Sequence, residues 1–387
     1  MSEHTQDSSQ QRYNDIAIAT AEKLNLIRKT VRHERTTSPP SLEVLFPDHN
    51  RVPVGIAQEY ERMDNRPVSE HLAALADLEG AELEHLGLTL GTVVHDIDLT
   101  AAFTEARIAF LRSVLLERKV IFFRDQHLTE DQQVEFARQF GDLDAFPFGK
   151  PGANPFILEI IHDELSPGNE NGWHTDVTWM ESPSLGSIAQ CTECPPFGGD
   201  TLFSDSHAAF LGLPENIKNQ ISTLSGVNDY RVFLNRGGVQ VPESLANEMK
   251  AQIPFGVAHP LARQHPETGK LALYIHGGFL RHDSLFDHTT GEALGSEASK
   301  ALVAELLKQH GRPEYQCRFH WQANSIAFWD NRACQHYAAS DYWPSVRRVE
   351  RVTIIGDKPF YTPDASQPDM DGSRFQGKLK QYRDSQA

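Results

Sequence analysis

The chain has 387 residues, 39% of them hydrophobic, enough to bury a large core. With 36 basic against 53 acidic residues the net charge is −17, so nucleic acid and anionic membranes are poor partners. Four cysteines do not make a disulfide scaffold, and the polar stretch Met1 to Tyr13 has no apolar signal region. No apolar run reaches the roughly 18 to 20 residues of a membrane span. A cytoplasmic soluble protein, assembled as a homo-oligomer, is expected.

Residues 1–80 read as a partly ordered N-terminal extension, broken by Pro39, Pro40, Pro53 and Pro67, with short helices expected at Ala17 to Leu26 and Val68 to Leu78. From about Leu83 the character changes, and a main domain over residues 81–361 is expected. Leu88 to Leu99 is β-branched with a turn at Gly91. Ile108, Leu111, Val114 and Leu115 recur at helical spacing within Thr104 to Arg118. Val120-Ile121-Phe122-Phe123 is a short apolar run and predicts a buried strand. Thr129 with Gln132 forms a capping box for a helix that buries Val134, Phe136 and Phe140 and stops at Gly141.

Residues 156–206 alternate short apolar strands with turns at Pro195-Pro196 and Gly198-Gly199. Helices are expected near Pro214 to Leu224, Pro242 to Gln252 and Ser296 to Gln309. Strands resume at Tyr315 to Trp321, Ser325 to Trp329 and Arg348 to Gly356. Residues 362–387 form a polar C-terminal tail. Many short strands with helical insertions predict a mainly β fold with flanking helices, closed or double-sheeted, rather than a parallel doubly wound sheet.

The chemistry concentrates in Trp173-His174-Thr175-Asp176-Val177-Thr178-Trp179. On an extended strand, His174 and Asp176 would face the same side. One imidazole and one carboxylate supply two thirds of a 2-His-1-carboxylate triad, which holds Fe(II) and leaves coordination positions open. The best candidate for the second imidazole is His336, which follows a strand and sits among aromatic and small residues. Arg347 and Arg351 come eleven and fifteen positions later, Arg351 opening an otherwise apolar strand. A guanidinium in an apolar interior needs an anion, preferably a carboxylate held by two parallel hydrogen bonds. A metal site with cationic anchors beside it is what a dicarboxylate such as 2-oxoglutarate requires.

These residues belong to an ordered set. It comprises Phe122-Phe123-Arg124-Asp125-Gln126, Phe140-Gly141-Asp142-Leu143, Trp173 to Thr178, Gly198-Gly199-Asp200-Thr201-Leu202, Trp329-Asp330-Asn331-Arg332 to His336-Tyr337, and Gly356 to Tyr361. With it the chain resembles the taurine dioxygenase family of Fe(II)/2-oxoglutarate-dependent dioxygenases. The resemblance implies a double-stranded β-helix, a cupin-like jelly roll. It implies that His174, Asp176 and His336 ligate Fe(II), that Arg347 and Thr201 meet the far carboxylate of 2-oxoglutarate, and that Arg351 and the Val177 backbone N–H face an anionic substrate. It implies that O₂ and 2-oxoglutarate are consumed, and succinate and CO₂ released, as a substrate C–H bond is oxidised.

The family pattern fails at one place. Phe146 stands where the taurine enzyme has a sulfonate-binding His, and Gly149 where it has a Tyr. A larger or more apolar substrate than taurine is therefore expected: an organosulfate, a bulkier sulfonate, or an aryloxy or amino-acid-derived carboxylate. Desaturation, isonitrile formation and a non-catalytic anion- or metal-binding role are the alternatives. His162 with Glu164 is a rival metal pair, read more readily as a loop His in solvent. Cys191 with Cys194 has zinc or redox spacing but no second close pair.

Overall fold

The computed structural model describes residues 52–145, 154–168, 170–231, 247 and 256–361. The expected helix at Ala17 to Leu26 lies outside these residues, as do Phe146, Gly149 and all of the expected helix at Pro242 to Gln252 except Asn247, which is helical.

The buried run Val120–Phe123 shows how the cores are divided. Ile121 and Phe123 face a core shared with helices; Val120 and Phe122 face a second core between two sheets. Successive strand side chains point to opposite faces, so one apolar run serves both cores. The neighbouring strands keep the same alternation. Ile326 and Phe328 go to the helical side, Ala327 and Trp329 to the inter-sheet side. Each such large apolar side chain stabilises the fold by roughly 1.5–3 kcal/mol.

In chain order the elements are α1 (Val52–Arg62), α2 (Glu70–Glu79), β1 (Leu83–His85), β2 (Thr92–Val94), α3 (Glu105–Arg118), β3 (Val120–Phe123), α4 (Glu130–Arg138), β4 (Leu143–Asp144), β5 (Ile157–His162), β6 (Ser184–Glu193) and β7 (Thr201–Asp205). There follow α5 (Ser206–Leu211), α6 (Glu215–Ile221), β8 (Leu224–Asn228), β9 (Val257–Pro260), β10 (Ala262–Gln264), β11 (Leu271–Leu273), β12 (Phe286–Asp287), α7 (Ser296–His310), β13 (Gln316–Phe319), β14 (Ser325–Asp330), β15 (Cys334–Ala338) and β16 (Arg347–Ile355).

The larger sheet runs β1-β2-β3-β14-β6-β16-β4, with β5 also paired to β16; the smaller runs β13-β7-β15. Helices α2, α3 and α4 cover the outer face of the larger sheet through Leu72, Phe110, Leu111, Val114, Val134 and Phe136. The two sheets enclose Phe122, Phe203, Phe319, Trp321 and Trp329. The mainly β reading holds, and the fold is the expected jelly roll. Strands β8–β12 with α5–α7 form an inserted subdomain around its own apolar cluster.

The capping box of α4 is present: the Thr129 hydroxyl accepts from the Gln132 backbone N–H, and Gln132 reaches back to the Thr129 N–H. That helix ends at Arg138, one turn before Gly141. Helix α1 was not anticipated from the sequence. Charge ties it down: buried Glu59 meets Lys119 Nζ at 3.0 Å and Lys270 Nζ at 2.8 Å, and Lys119 also lies 2.9 Å from Asp205 Oδ2.

Candidate active site

His336 lies on β15, with its flanking backbone held to β7. The segment carrying His174 joins β15 by one isolated bridge, His174 N–H to His336 C=O at 3.0 Å and the reverse bond at 2.8 Å. That pair of bonds sets two imidazoles, 162 residues apart in sequence, with ring centroids 4.0 Å apart. The expectation of an extended strand through Asp176 is corrected here. Asp176 to Trp179 is a turn, and Val177 takes a left-handed φ of +49°. A β-branched residue there is strained. The turn, rather than strand alternation, brings the Asp176 carboxylate to the imidazoles. Ligand atoms of His174, Asp176 and His336 all lie within 4.8 Å of one another.

The donor set fits one divalent cation. His174 Nδ1 lies 2.7 Å from the Gly172 carbonyl, so Nδ1 carries the proton and Nε2 keeps its lone pair for a metal. Burial and the neighbouring His174 push the His336 pKa down to about 3, so its imidazole is neutral, as a ligand must be. Its Nε2 is 3.8 Å from Asp176 Oδ1, too far for a hydrogen bond and within the span that two bonds of about 2 Å to one shared ion can bridge. Burial opposes ionisation of Asp176, but Arg351 and His336 hold its carboxyl well below the usual range.

Asp176 is fixed from three sides. Ser187 Oγ donates to Oδ2 at 2.9 Å, Asn331 Nδ2 donates to Oδ2 at 3.2 Å, and Arg351 Nη1 donates to Oδ1 at 3.2 Å. Asn331 also accepts from the Asp176 N–H and from Thr175 Oγ1, so it holds both the backbone and the side chain of the carboxylate ligand. Asn331 and Ser187 were not singled out from the sequence. Asn331 stood inside the Trp329 to Arg332 motif, but nothing in the spacing assigned it a role.

The two arginines share a face of β16. Val349 between them faces the inter-sheet core, whereas Val352 and Ile354 face the helices, so Arg347 and Arg351 point between the sheets. Arg347 is buried, with its guanidinium carbon 5.7 Å from the Trp321 ring and 5.9 Å from the Tyr342 ring. Its Nε has no hydrogen-bond partner among the described residues, an arrangement that calls for an anion. Trp321 Nε1 donates to Thr201 Oγ1 at 2.9 Å, so one indole touches both residues expected to meet 2-oxoglutarate. Gly199 lets Arg347 pass. Its φ is +70°, and a Cβ there would sit 3.3 Å from Arg347 Cδ and 3.2 Å from Tyr342 Cδ1.

The rival readings separate cleanly. His162 is not a loop residue in solvent; it is buried at the end of β5, where its Nε2 meets Glu170 instead of Glu164. Among the described residues only His174, Asp176 and His336 form a metal-capable cluster. Cys191 and Cys194 are free thiols, and neither belongs to such a cluster. His207 is buried, while His276 stands beside the site with its ring 5.8 Å from that of His174.

A jelly roll carrying a His/Asp/His cluster, with Asp176 and His336 buried, His174 half-buried and arginines beside them, defines the class of mononuclear iron oxygenases with a facial triad. The profile described as "Taurine catabolism dioxygenase TauD, TfdA family" matches residues 82–353. An alkylsulfatase of Acinetobacter baylyi is 33% identical over 284 residues, 71% of this chain and 85% of that protein. An α-ketoglutarate-dependent sulfate ester dioxygenase of Pseudomonas putida is 32% identical, covering 70% and 88%. A solved taurine dioxygenase from Burkholderia xenovorans matches with a TM-score of 0.61 at 32% identity, over 74% of this chain and 93% of that one. The chain belongs to the TauD/TfdA family and is a 2-oxoglutarate-dependent dioxygenase that uses Fe(II) and O₂.

Proposed function

We propose that this enzyme oxidises alkyl sulfate esters at the carbon bearing the ester oxygen. The observation that carries the reading is the pair of cations on one face of β16. Arg347 is buried with an unpartnered Nε, and Arg351 sits 3.2 Å from the carboxylate of the triad. Two cations at different depths beside one metal site suit two anions, a diacid co-substrate and an anionic substrate. Relatives at 33% and 32% identity are named for alkyl sulfate and sulfate ester chemistry. Phe146 in place of a polar His favours an alkyl chain over the short polar body of taurine.

In this reading His174, Asp176 and His336 hold Fe(II). Bound iron supplies the activation of O₂ that couples decarboxylation of 2-oxoglutarate to oxidation of the substrate C–H bond. Arg347 and the Thr201 hydroxyl receive the far carboxylate of 2-oxoglutarate. Arg351 and the Val177 N–H receive the sulfate. The aromatic walls formed by Trp321 and Trp329 exclude water, and the fixed cations orient both anions before reaction. The hydroxylated carbon then carries both OH and sulfate. Loss of the O–H proton and departure of sulfate leave an aldehyde, with succinate and CO₂ as the other products.

The wider reading is a catalytic domain over residues 81–361 with an N-terminal extension and a C-terminal tail. It acts in the cytoplasm as a homo-oligomer on a small anion. The net charge of −17 supports the absence of nucleic-acid and membrane partners. Succinate formation with Fe(II) and O₂ tests the substrate class, using medium-chain alkyl sulfates, alkyl sulfonates, phenoxyacetates and taurine side by side. Sulfate and aldehyde released in step with succinate from the alkyl sulfates support the reading. Stimulation by phenoxyacetates or sulfonates alone would reject it.

A further inference from the structure

His162 closes β5 directly across the ladder from Arg347. Facing residues of an antiparallel pair stand about 4.5–5.5 Å apart at Cβ. Tyr342 neighbours both, its ring 6.4 Å from that of His162 and 5.9 Å from the Arg347 guanidinium carbon. His162 is buried, and each of its ring nitrogens meets an oxygen acceptor. Nδ1 lies 3.2 Å from the Ser166 carbonyl and Nε2 lies 3.1 Å from Glu170 Oε2. A neutral imidazole has one N–H and would turn a lone pair on one of these oxygens. Only the imidazolium donates to both. The hydrogen bond to Glu170 raises the pKa of His162, outweighing burial and the facing charge of Arg347, which both lower it.

Glu170 lies four residues before His174, with its side chain 40% exposed. Its charge reaches the site, acting on His336 and on Tyr342 beside Arg347. A carboxylate there whose charge the imidazolium did not offset would lower the positive potential that an incoming diacid meets at Arg347. We infer that His162 is a positioning residue for 2-oxoglutarate: as an imidazolium it holds and neutralises Glu170, leaving Arg347 to the co-substrate. The inference rests on Arg347 being the anchor for 2-oxoglutarate.

The test is calorimetric titration of the anaerobic, Fe(II)-loaded full chain with 2-oxoglutarate, so that no turnover enters. His162→Gln raises the Kd roughly tenfold, the scale of one charge-assisted contact, while Fe(II) binding is unchanged. Glu170→Gln alone leaves the Kd unchanged or lowers it. The double variant returns to within about twofold of the parent, since the charge to be neutralised is gone. A merely structural latch predicts otherwise: Glu170→Gln would weaken binding as much as His162→Gln, and that result overturns the inference, as does an unchanged Kd in His162→Gln. Should His162→Gln fail to fold, Glu170→Gln decides alone, since weaker binding there rejects the neutralising role and equal or tighter binding upholds it. Arg347→Ala separates the two readings. Loss of affinity there with no effect at His162 sinks only the inference, whereas an unchanged Kd in Arg347→Ala sinks the anchor as well.

Discussion

Arg351 Nη1 stands 3.2 Å from Asp176 Oδ1, so the carboxylate of the metal triad is also the counter-ion of the cation assigned to the substrate. That contact holds the guanidinium beside the metal before any anion arrives. Arg347 and Arg351 both lie on β16, so in the proposed reading one strand carries the anchors for both anions.

Arg351→Ala should therefore raise the KM for the sulfate ester by roughly one to two orders of magnitude, the loss of a charge-assisted hydrogen-bonded contact. The Kd for 2-oxoglutarate should change little. Steady-state kinetics in the two co-substrates separates these effects, and equal weakening of both would mean that the arginine serves the metal site as a whole.

His174→Ala and Asp176→Ala should each abolish Fe(II)-dependent succinate formation, because two ligands do not complete the triad. His162→Ala should still bind Fe(II) and turn over at saturating 2-oxoglutarate, since its partners are Glu170 and Ser166 instead of the cluster. Anaerobic Fe(II) binding is the readout. Turnover surviving in His174→Ala would reject the site assignment.

Arg347→Ala should raise the 2-oxoglutarate requirement by about 10²- to 10³-fold, the scale of removing one partner of a buried charge pair. Folding should survive better than binding, because the buried Nε has no protein partner to lose among the described residues. An unchanged KM would mean that another group anchors the diacid.

Asn331→Ala should lower Fe(II) affinity by roughly 10- to 100-fold, as loss of an outer hydrogen-bond partner of a ligand does. The Asp176 carboxylate keeps Ser187 and Arg351 but loses the bond that couples it to its own backbone. Competition with a ferrous chelator measures the change. Asn331→Asp should be worse than alanine, since it sets a second anion against Asp176 in a buried place.

Glu59 should contribute to the pH dependence of stability in acid. Burial alone would raise its pKa, but Lys119, His207 and Lys270 outweigh that and bring it from 4.5 down to about 2. A folded pKa below the unfolded one gives stability that is complete above about pH 4.5 and lost as pH falls toward 2. Glu59→Gln should lower the Tm at pH 7 by leaving Lys119 less compensated, with the gap to the parent narrowing between pH 4.5 and 2. Thermal unfolding across that range checks it, and a constant gap would assign the effect to packing.

The metal triad was legible in the sequence because its chemistry is carried by residue type. A His and an Asp two apart and a later His suggest a facial triad, and the ordered motifs around them single it out through the family resemblance. The buried strand Val120–Phe123 and the capped helix after Thr129 were legible for the same kind of reason, since period and cap are local properties. Helix α1 was not, because ion pairs from Glu59 to Lys119 and Lys270 hold it, and those partners are distant in the chain.

The sequence by itself determined the ligand types, the two cations and the alternation that turns one face of each strand inward. The tertiary structure alone decided how they meet. A single backbone bridge sets His174 against His336, and a turn with a strained Val177 aims Asp176 where an extended strand was expected. Asn331 and His162 gained their places only through cross-strand and loop contacts. Side-chain identity is written locally, but hydrogen-bond partnership depends on which segments the sheets bring within about 3 Å, and no local pattern encodes that.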